Sequence, residues 1–403
     1  MQTNTLTARY CGLSPVRIQE ALFIGRSLER CRKFQAVVDT IQKKGYNDTE
    51  LFTDEPSAVH TLQERNKATM PYEQYHTCRD QVLVLLEKNK VEWKKRYLDY
   101  ASIITENLES IKSNRRRLRE SAQLKFYLNT TNAKKAKNTV CFDMRYLGQR
   151  VAEVTSSIDG ITLSTKGFED NNQRDFGCEI KLDNVPWGEK EARAFRAYFK
   201  NREPLRNKAG NNKGNDEHRL ESLLLSEFSK KSGNKKALKY IQPVMIGGFR
   251  FPMPTPISAS KKELMYSGQS GGGIDILARV GIGNHTRLCV IELKDENKPS
   301  EPASDVLKQA IKYAVFIREL LRSKAGMQWW ELFGFGGGEI PKKLVIHAVC
   351  AMPYIENADT SFCGHTIGMG GDEIQLQYIY FKEANNKIKG IETSLGKQAE
   401  KSE

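Results

Sequence analysis

An α/β chain is predicted by three features of the sequence. The N-terminal third has helical spacing and almost no Gly or Pro; the stretch after it switches to a period of two; and from residue 217 onward a helix, three strands, a helix and further strands follow in order. The expected organisation is a helical region over 1–138, a small antiparallel β meander with a helix over 139–200, and a polar linker over 201–216. An α/β core over 217–382 and a polar tail over 383–403 complete it.

Each element has a local reason. Helices are expected over 14–45 and 72–127, where Trp93, Tyr97, Tyr100, Ile104, Leu108, Ile111 and Leu118 fall on one stripe of a single long helix. Such a stripe reads first as an internal packing seam and second as a homo-oligomer surface. Segments 139–146, 150–156, 161–168 and 176–182 alternate apolar and polar residues, and Asp159-Gly160 is a hairpin turn because that turn needs positive φ. Trp187 is expected to anchor the helix over 188–200 to this sheet. In the second half, helix 217–230 precedes strands over 240–251, 274–280 and 287–294, then helix 303–323 and apolar strands over 343–351 and 374–381.

Composition narrows the partner. A formal charge of +14 over 403 residues favours an acidic polymer, because phosphate neutralisation by Lys and Arg is the sequence-independent part of nucleic-acid affinity. The charge concentrates at Lys112, Arg115, Arg116, Arg117, Arg119, Lys125, Lys134, Lys135 and Lys137, opposed only by Glu120, which reads equally as a solvated face or a phosphate-contacting stripe. The longest apolar runs, 82–86 and 344–352, fall well short of the roughly 20 residues that span a bilayer. Eight scattered cysteines, with no CxxC pair and no secretory leader, lead to the expectation of reduced thiols in a cytoplasmic protein. Cys289 and Cys350, inside apolar strands, read as buried structural thiols.

The densest chemistry lies in one hairpin and the helix after it. Side chains alternate along a strand, so in Ile291-Glu292-Leu293-Lys294 an acid and a base share one face while Ile291 and Leu293 face the other. Asp275 on the neighbouring strand brings a second carboxylate to the same spot, and two converging carboxylates suit a hard cation such as Mg2+. Gly271-Gly272-Gly273 leaves backbone space beside Asp275, and Gln309 and Tyr313 share a helix face. A plain ion pair of Lys294 with the acids is the structural alternative.

These residues resemble the PD-(D/E)xK nuclease superfamily and its restriction-endonuclease-like αβββαβ core. Ile274-Asp275 stands for the proline-aspartate half and Glu292-Leu293-Lys294 for the (D/E)xK half. Gln309 and Tyr313 look like the Gln/Tyr pair of the recombination and repair branch. The resemblance covers 216–382 and leaves the first half unexplained. It implies a nuclease, acting on DNA, that uses Mg2+ (or Mn2+) held by Asp275, Glu292 and the Leu293 carbonyl. Lys294 would orient the attacking water or stabilise developing charge, and Gln309 and Tyr313 would contact the scissile phosphate or hold Lys294. It also implies a further glutamate on the opening helix: Glu221 is preferred, because Leu224 and Phe228 lay that helix on the sheet, and Glu217 fits nearly as well. By analogy with such nucleases, a role in bacterial or mobile-element defence is expected. The competing readings are a nucleic-acid-binding module that lost catalysis and an oligomeric sensor with this domain as its output.

Other motifs are weaker. Gly334-Phe335-Gly336-Gly337-Gly338 lacks the Lys-Ser/Thr ending of a P-loop and reads as a loop. Of Trp329 and Trp330 at least one belongs to the core, the histidines lack zinc spacing, and His285 sits in a turn without an assigned role.

Overall fold

The computed structural model describes residues 72–121, 123–129, 139–201, 214–230, 237–259, 264–268, 272–297, 301–336 and 338–396. The expected helix over 14–45, most of the 201–216 linker, Lys134, Lys135, Lys137, Gly271 and Gly337 lie outside the described residues.

Three helices open the described chain: α1 (Glu73–Lys88), α2 (Lys90–Glu106) and α3 (Leu108–Asn114). The single long helix expected here is interrupted twice, at Asn89 and Asn107. Each asparagine turns its side-chain amide back onto the carbonyl four residues earlier, Leu85 and Ile103, at 2.8 Å, offering the chain a local alternative to continued helix. The aromatic stripe survives the breaks. Trp93, Tyr97, Tyr100, Ile104, Ile111 and Leu118 are buried within the chain's own core, so the stripe is an internal seam.

The chain then enters β1 (Leu124–Asn129), inside the region expected to be helical. It pairs antiparallel along its whole length with β2 (Val140–Tyr146), and this cross-strand ladder overrides local propensity. β2 leads through Leu147-Gly148 to β3 (Gln149–Ser157), and the Asp159-Gly160 turn delivers β4 (Gly160–Ser164). The strand expected over 176–182 is absent. A helix, α4 (Glu169–Phe176), ends on left-handed Gly177 (φ 64°), and the segment beyond rejoins the sheet at Leu182, which exchanges hydrogen bonds of 2.8 and 2.9 Å with Thr165, and at Val185-Pro186, which pairs antiparallel with β4. Trp187 packs beside Phe126 and under the Arg196 guanidinium of α5 (Lys190–Asn201), the anchoring its position suggested.

α6 (Gly214–Phe228) precedes a segment expected as one strand but divided first at Val244 and again by left-handed Gly247 and Gly248. β5 (Ile241–Pro243) joins a second sheet, whereas the hairpin of β6 (Met245–Ile246) and β7 (Phe249–Arg250) extends the first through a parallel bridge from Arg250 to Tyr127. The second sheet continues with β8 (Ile276–Val280) and β9 (Arg287–Leu293), an antiparallel hairpin as expected. After α7 (Ala303–Leu321) and α8 (Gly326–Leu332) come β10 (Val345–Pro353), β11 (Thr366–Met369), β12 (Asp372–Ala384) and β13 (Lys387–Thr393). The strand order is β11-β12-β10-β9-β8-β5, with β13 also on β12; β9, β10 and β12 run parallel. β12 and β13 replace much of the polar tail expected over 383–403, because the β12 ladder continues into residues 387–393.

Two apolar layers sandwich this sheet. α6 covers one face, where Leu220, Leu224 and Phe228 meet Ile276, Ile291 and Val349. α7 covers the other, and behind it α1 and α2 close the core, with Trp93 and Tyr97 edge-on to Phe316 and the Trp329 indole N–H bonded to the Tyr97 carbonyl at 2.9 Å. Both Trp329 and Trp330 are buried. The cluster of buried residues on the α7 side runs from Tyr75 through Phe142 to Tyr380, joining the helical, meander and α/β regions in one core.

The β2–β3 turn touches α6 where that helix enters the site. A Cβ on Gly148, whose φ is 84°, would lie 2.0 Å from the His218 carbonyl oxygen. Gly148→Ala is therefore expected to cost about 2 kcal/mol or more in chemical denaturation. Gly167→Ala, at the same φ but with nothing nearby, is expected to cost about 1 kcal/mol; equal losses would remove the contact from the account.

Candidate active site

The antiparallel register of β8 and β9 ends at Ile276 opposite Ile291, which leaves Asp275 and Glu292 facing each other at the next step. Alternation turns both toward α7, on the side of Leu277 and Val290. Asp275 is fixed by the Leu293 backbone N–H, which donates to its Oδ2 at 2.8 Å. Lys294, two residues past Glu292, is buried and bonds Glu292 Oε1 at 3.3 Å and Glu217 Oε1 at 2.9 Å. Glu217 comes from the first turn of α6. The carboxylates of Glu217, Asp275 and Glu292 each offer an oxygen within 4.8 Å of the others.

Asp275, Glu292 and Lys294 are thus brought together as expected, but the third acid is Glu217. Glu221, preferred from the sequence, lies one turn further along α6. It is buried beside His218, whose Nδ1 is 3.6 Å from its carboxylate. It also attracts Arg145, which stacks on the Tyr127 ring at 4.3 Å. The spacing that lays α6 on the sheet is shared by both glutamates. Only the helix's entry point, at the carboxyl ends of the parallel strands, decides between them. Arg145 had no signal in the sequence, since nothing in one strand marks which arginine will stack under a neighbouring helix.

The electrostatics follow from crowding acids in little water. Burial first, then the negative charge of Glu221, pushes Asp275 up to about 7, against the Leu293 N–H and Lys294. Glu292 is raised well above its ordinary range by burial and by Asp275, with Lys294 opposing. Burial alone would lower Lys294; Glu292, Glu217 and Asp275 outweigh it and hold it as an ammonium. If all three acids are ionised, one ammonium leaves two negative charges uncompensated, and the buried Glu292 Oε2 has no hydrogen-bond partner. An orphaned acceptor in an all-oxygen donor set fits a small divalent cation.

The helix expected to support the site does reach it. Tyr313 is buried, feels the charges of Glu292 and Asp275, and is raised by its burial first. Its hydroxyl is 3.1 Å from where a Cβ on Gly272 would lie, so the glycine beside Asp275 makes room for Tyr313. Gln309, one turn earlier, has a buried amide oxygen without a partner. Leu293 belongs to the site through its N–H.

The basic run lies elsewhere in the fold. Arg115, Arg116, Arg117 and Arg119 are exposed, in the turns after α3 and not along a helix. Arg115 lies 3.5 Å from Glu120, whose other oxygen is 2.9 Å from buried Arg250; Lys125 is on β1 beside the same acid. His285 is at the β8–β9 turn, the opposite end of the hairpin from Asp275. Among the described residues no helix is long and apolar enough to cross a membrane.

Comparison with known proteins finds no matching family model, no matching curated protein and no matching solved structure.

The pH response of the cluster has a defined sign. Asp275 has an ordinary pKa of 3.8 and about 7 in the fold. Between those values the folded state keeps a proton that the unfolded state has lost, so this group's contribution to stability falls as pH rises. With a chelator present, the melting temperature of the wild type relative to Asp275→Asn is expected to fall from about pH 4 to about pH 7. Mg2+ is expected to raise the wild-type value at the upper end and leave the variant unchanged; a pH-independent difference counts against a buried, protonated Asp275.

Proposed function

We propose that the protein is a metal-dependent nuclease that hydrolyses phosphodiester bonds in DNA. The observation that carries this reading is the convergence of Glu217, Asp275 and Glu292 around Lys294 at the carboxyl ends of the parallel strands. In open α/β sheets that edge is where ligands bind. A helix, an antiparallel hairpin and a covering α7 ahead of parallel β10 agree with the restriction-endonuclease-like arrangement that the Asp275 and Glu292-Leu293-Lys294 motif resembles. A structural ion pair accounts for Lys294 with one acid, but not for three acids, nor for the orphaned Glu292 Oε2 and Gln309 Oε1.

Glu217, Asp275 and Glu292 would hold Mg2+, which when bound neutralises charge on the phosphoryl group and makes a water more acidic. Lys294, kept protonated by its acidic neighbours, is unsuited to take a proton. It positions the attacking water and stabilises charge developing on the phosphoryl oxygens. The water's proton would pass to a carboxylate oxygen of the cluster that the metal leaves free. Attack at phosphorus forms a P–O bond to the water oxygen, breaks the bond to one sugar oxygen, and leaves a phosphate monoester and an alcohol. Gln309, one turn before Tyr313 on α7, has a buried amide oxygen without a partner, and Tyr313 braces Gly272, three residues before Asp275.

Plasmid cleavage in Mg2+ tests the reading. Asp275→Ala and Lys294→Ala are each expected to reduce the rate at least a hundredfold, as loss of a group stabilising transition-state charge does. Glu217→Gln is expected to lose more than Glu221→Gln. Activity in Asp275→Ala equal to wild type would mean that the cluster is not the catalytic site. Separately, charge reversal of Arg115, Arg116 and Arg117 is expected to weaken DNA binding and flatten its dependence on salt; unchanged affinity at two salt concentrations removes this basic patch from the DNA path.

A further inference from the structure

Beside the acidic cluster the same sheet edge carries an open cleft of about 410 Å3, lined by Asp216, Arg219, Asp295, Tyr354, Lys382 and Glu383 among others. Two of these residues are chain neighbours of the cluster, since Asp216 precedes Glu217 and Asp295 follows Lys294. The cleft therefore opens alongside the carboxylates, over the ends of β9, β10 and β12. Its volume lies within the roughly 300–1,000 Å3 of small-ligand clefts.

The floor of the cleft is rigid. Buried Arg219 donates through Nε to Asp216 at 2.8 Å and reaches Asn386 at 3.1 Å and Glu383 at 3.5 Å. Above it, the Tyr354 backbone N–H donates to the Phe381 carbonyl at 2.8 Å, and the Lys382 ammonium lies over the Tyr354 ring, 4.0 Å from its centre. Tyr354 is nevertheless 37% exposed. Asp295, half-buried, adds an acceptor at the end nearest Lys294.

An aromatic residue 37% exposed, with an ammonium over one face of its ring and carboxylates around it, matches a planar heterocycle that stacks on the ring's other face and exchanges hydrogen bonds along its edge. In a duplex both are already used, the face by neighbouring bases and the edge by the partner strand. A base entering the cleft must be unpaired.

We propose that this cleft holds an unpaired nucleobase of the substrate next to the scissile phosphate, with the Tyr354 ring face opposite Lys382 as its stacking platform and Asp295 at its edge, so that the substrate is single-stranded or locally unpaired DNA. The inference rests on the hydrolase reading, and its test separates the two.

The probe is a single-stranded DNA oligonucleotide carrying one 2-aminopurine, whose fluorescence falls on stacking, titrated with the full chain in Ca2+. Wild type and Tyr354→Phe are expected to quench it with similar affinity, and Tyr354→Ala about tenfold more weakly, within the range for losing one aromatic–base stack. A matched duplex is expected to bind with an affinity that Tyr354→Ala does not change. Equal single-strand affinity in all three proteins, each shown folded by its melting curve, overturns the cleft proposal. Cleavage of the unlabelled oligonucleotide in Mg2+ is followed in parallel. Tyr354-dependent quenching without cleavage keeps the cleft and sinks hydrolysis, whereas cleavage that ignores Tyr354 keeps hydrolysis and sinks the cleft.

Discussion

Carboxylate repulsion at one end of a sheet is the constraint around which the rest of this fold is arranged. Glu217, Asp275 and Glu292 crowd within a few ångströms in a region that burial has largely dried, with Lys294 as the cation bonded to two of them. Unpaired, such charges are expensive to bury. The chain answers locally with the Leu293 N–H on Asp275 and Lys294 between Glu292 and Glu217, and it holds Asp275 and Glu292 at raised pKa values. The shortfall of positive charge that remains when the acids are ionised is what the proposed metal site rests on.

Holding that cluster open demands a stiff frame. Three parallel strands set their carboxyl ends in line, α6 enters from one face with Glu217 in its first turn, and α7 closes the other with Tyr313. The meander contributes through two contacts, the β2–β3 turn lying against the His218 carbonyl and Tyr127 packing among the residues under α6. The β meander is thus a buttress for the helix that carries the third acid. This gives the region left unexplained by the family resemblance a mechanical part in the site.

One edge of the sheet carries both features. The acidic cluster and the Tyr354 cleft share α6 and the segment after β9, so a displacement of either element moves both. The exposed arginines after α3 belong to another part of the surface, outside the lining of this cleft.

The sequence by itself determined the elements whose signals are local. The alternation of Ile291-Glu292-Leu293-Lys294, the face shared by Gln309 and Tyr313, and the apolar runs of β10 and β12 follow from periods of two and 3.6, which depend on backbone geometry alone. Tertiary structure decided what depends on distant partners. β1 is a strand because β2 lies beside it; residues 240–251 divide between two sheets because β5 pairs with β8 before Val244 and β7 pairs with β1 after it; and residues 387–393 extend a ladder that a polar composition conceals. The choice of Glu217 over Glu221 is of this kind. Both sit correctly on their helix, and only where that helix meets the ends of the strands sets which carboxylate reaches Lys294, a distance fixed by packing across the whole core and written in no single segment.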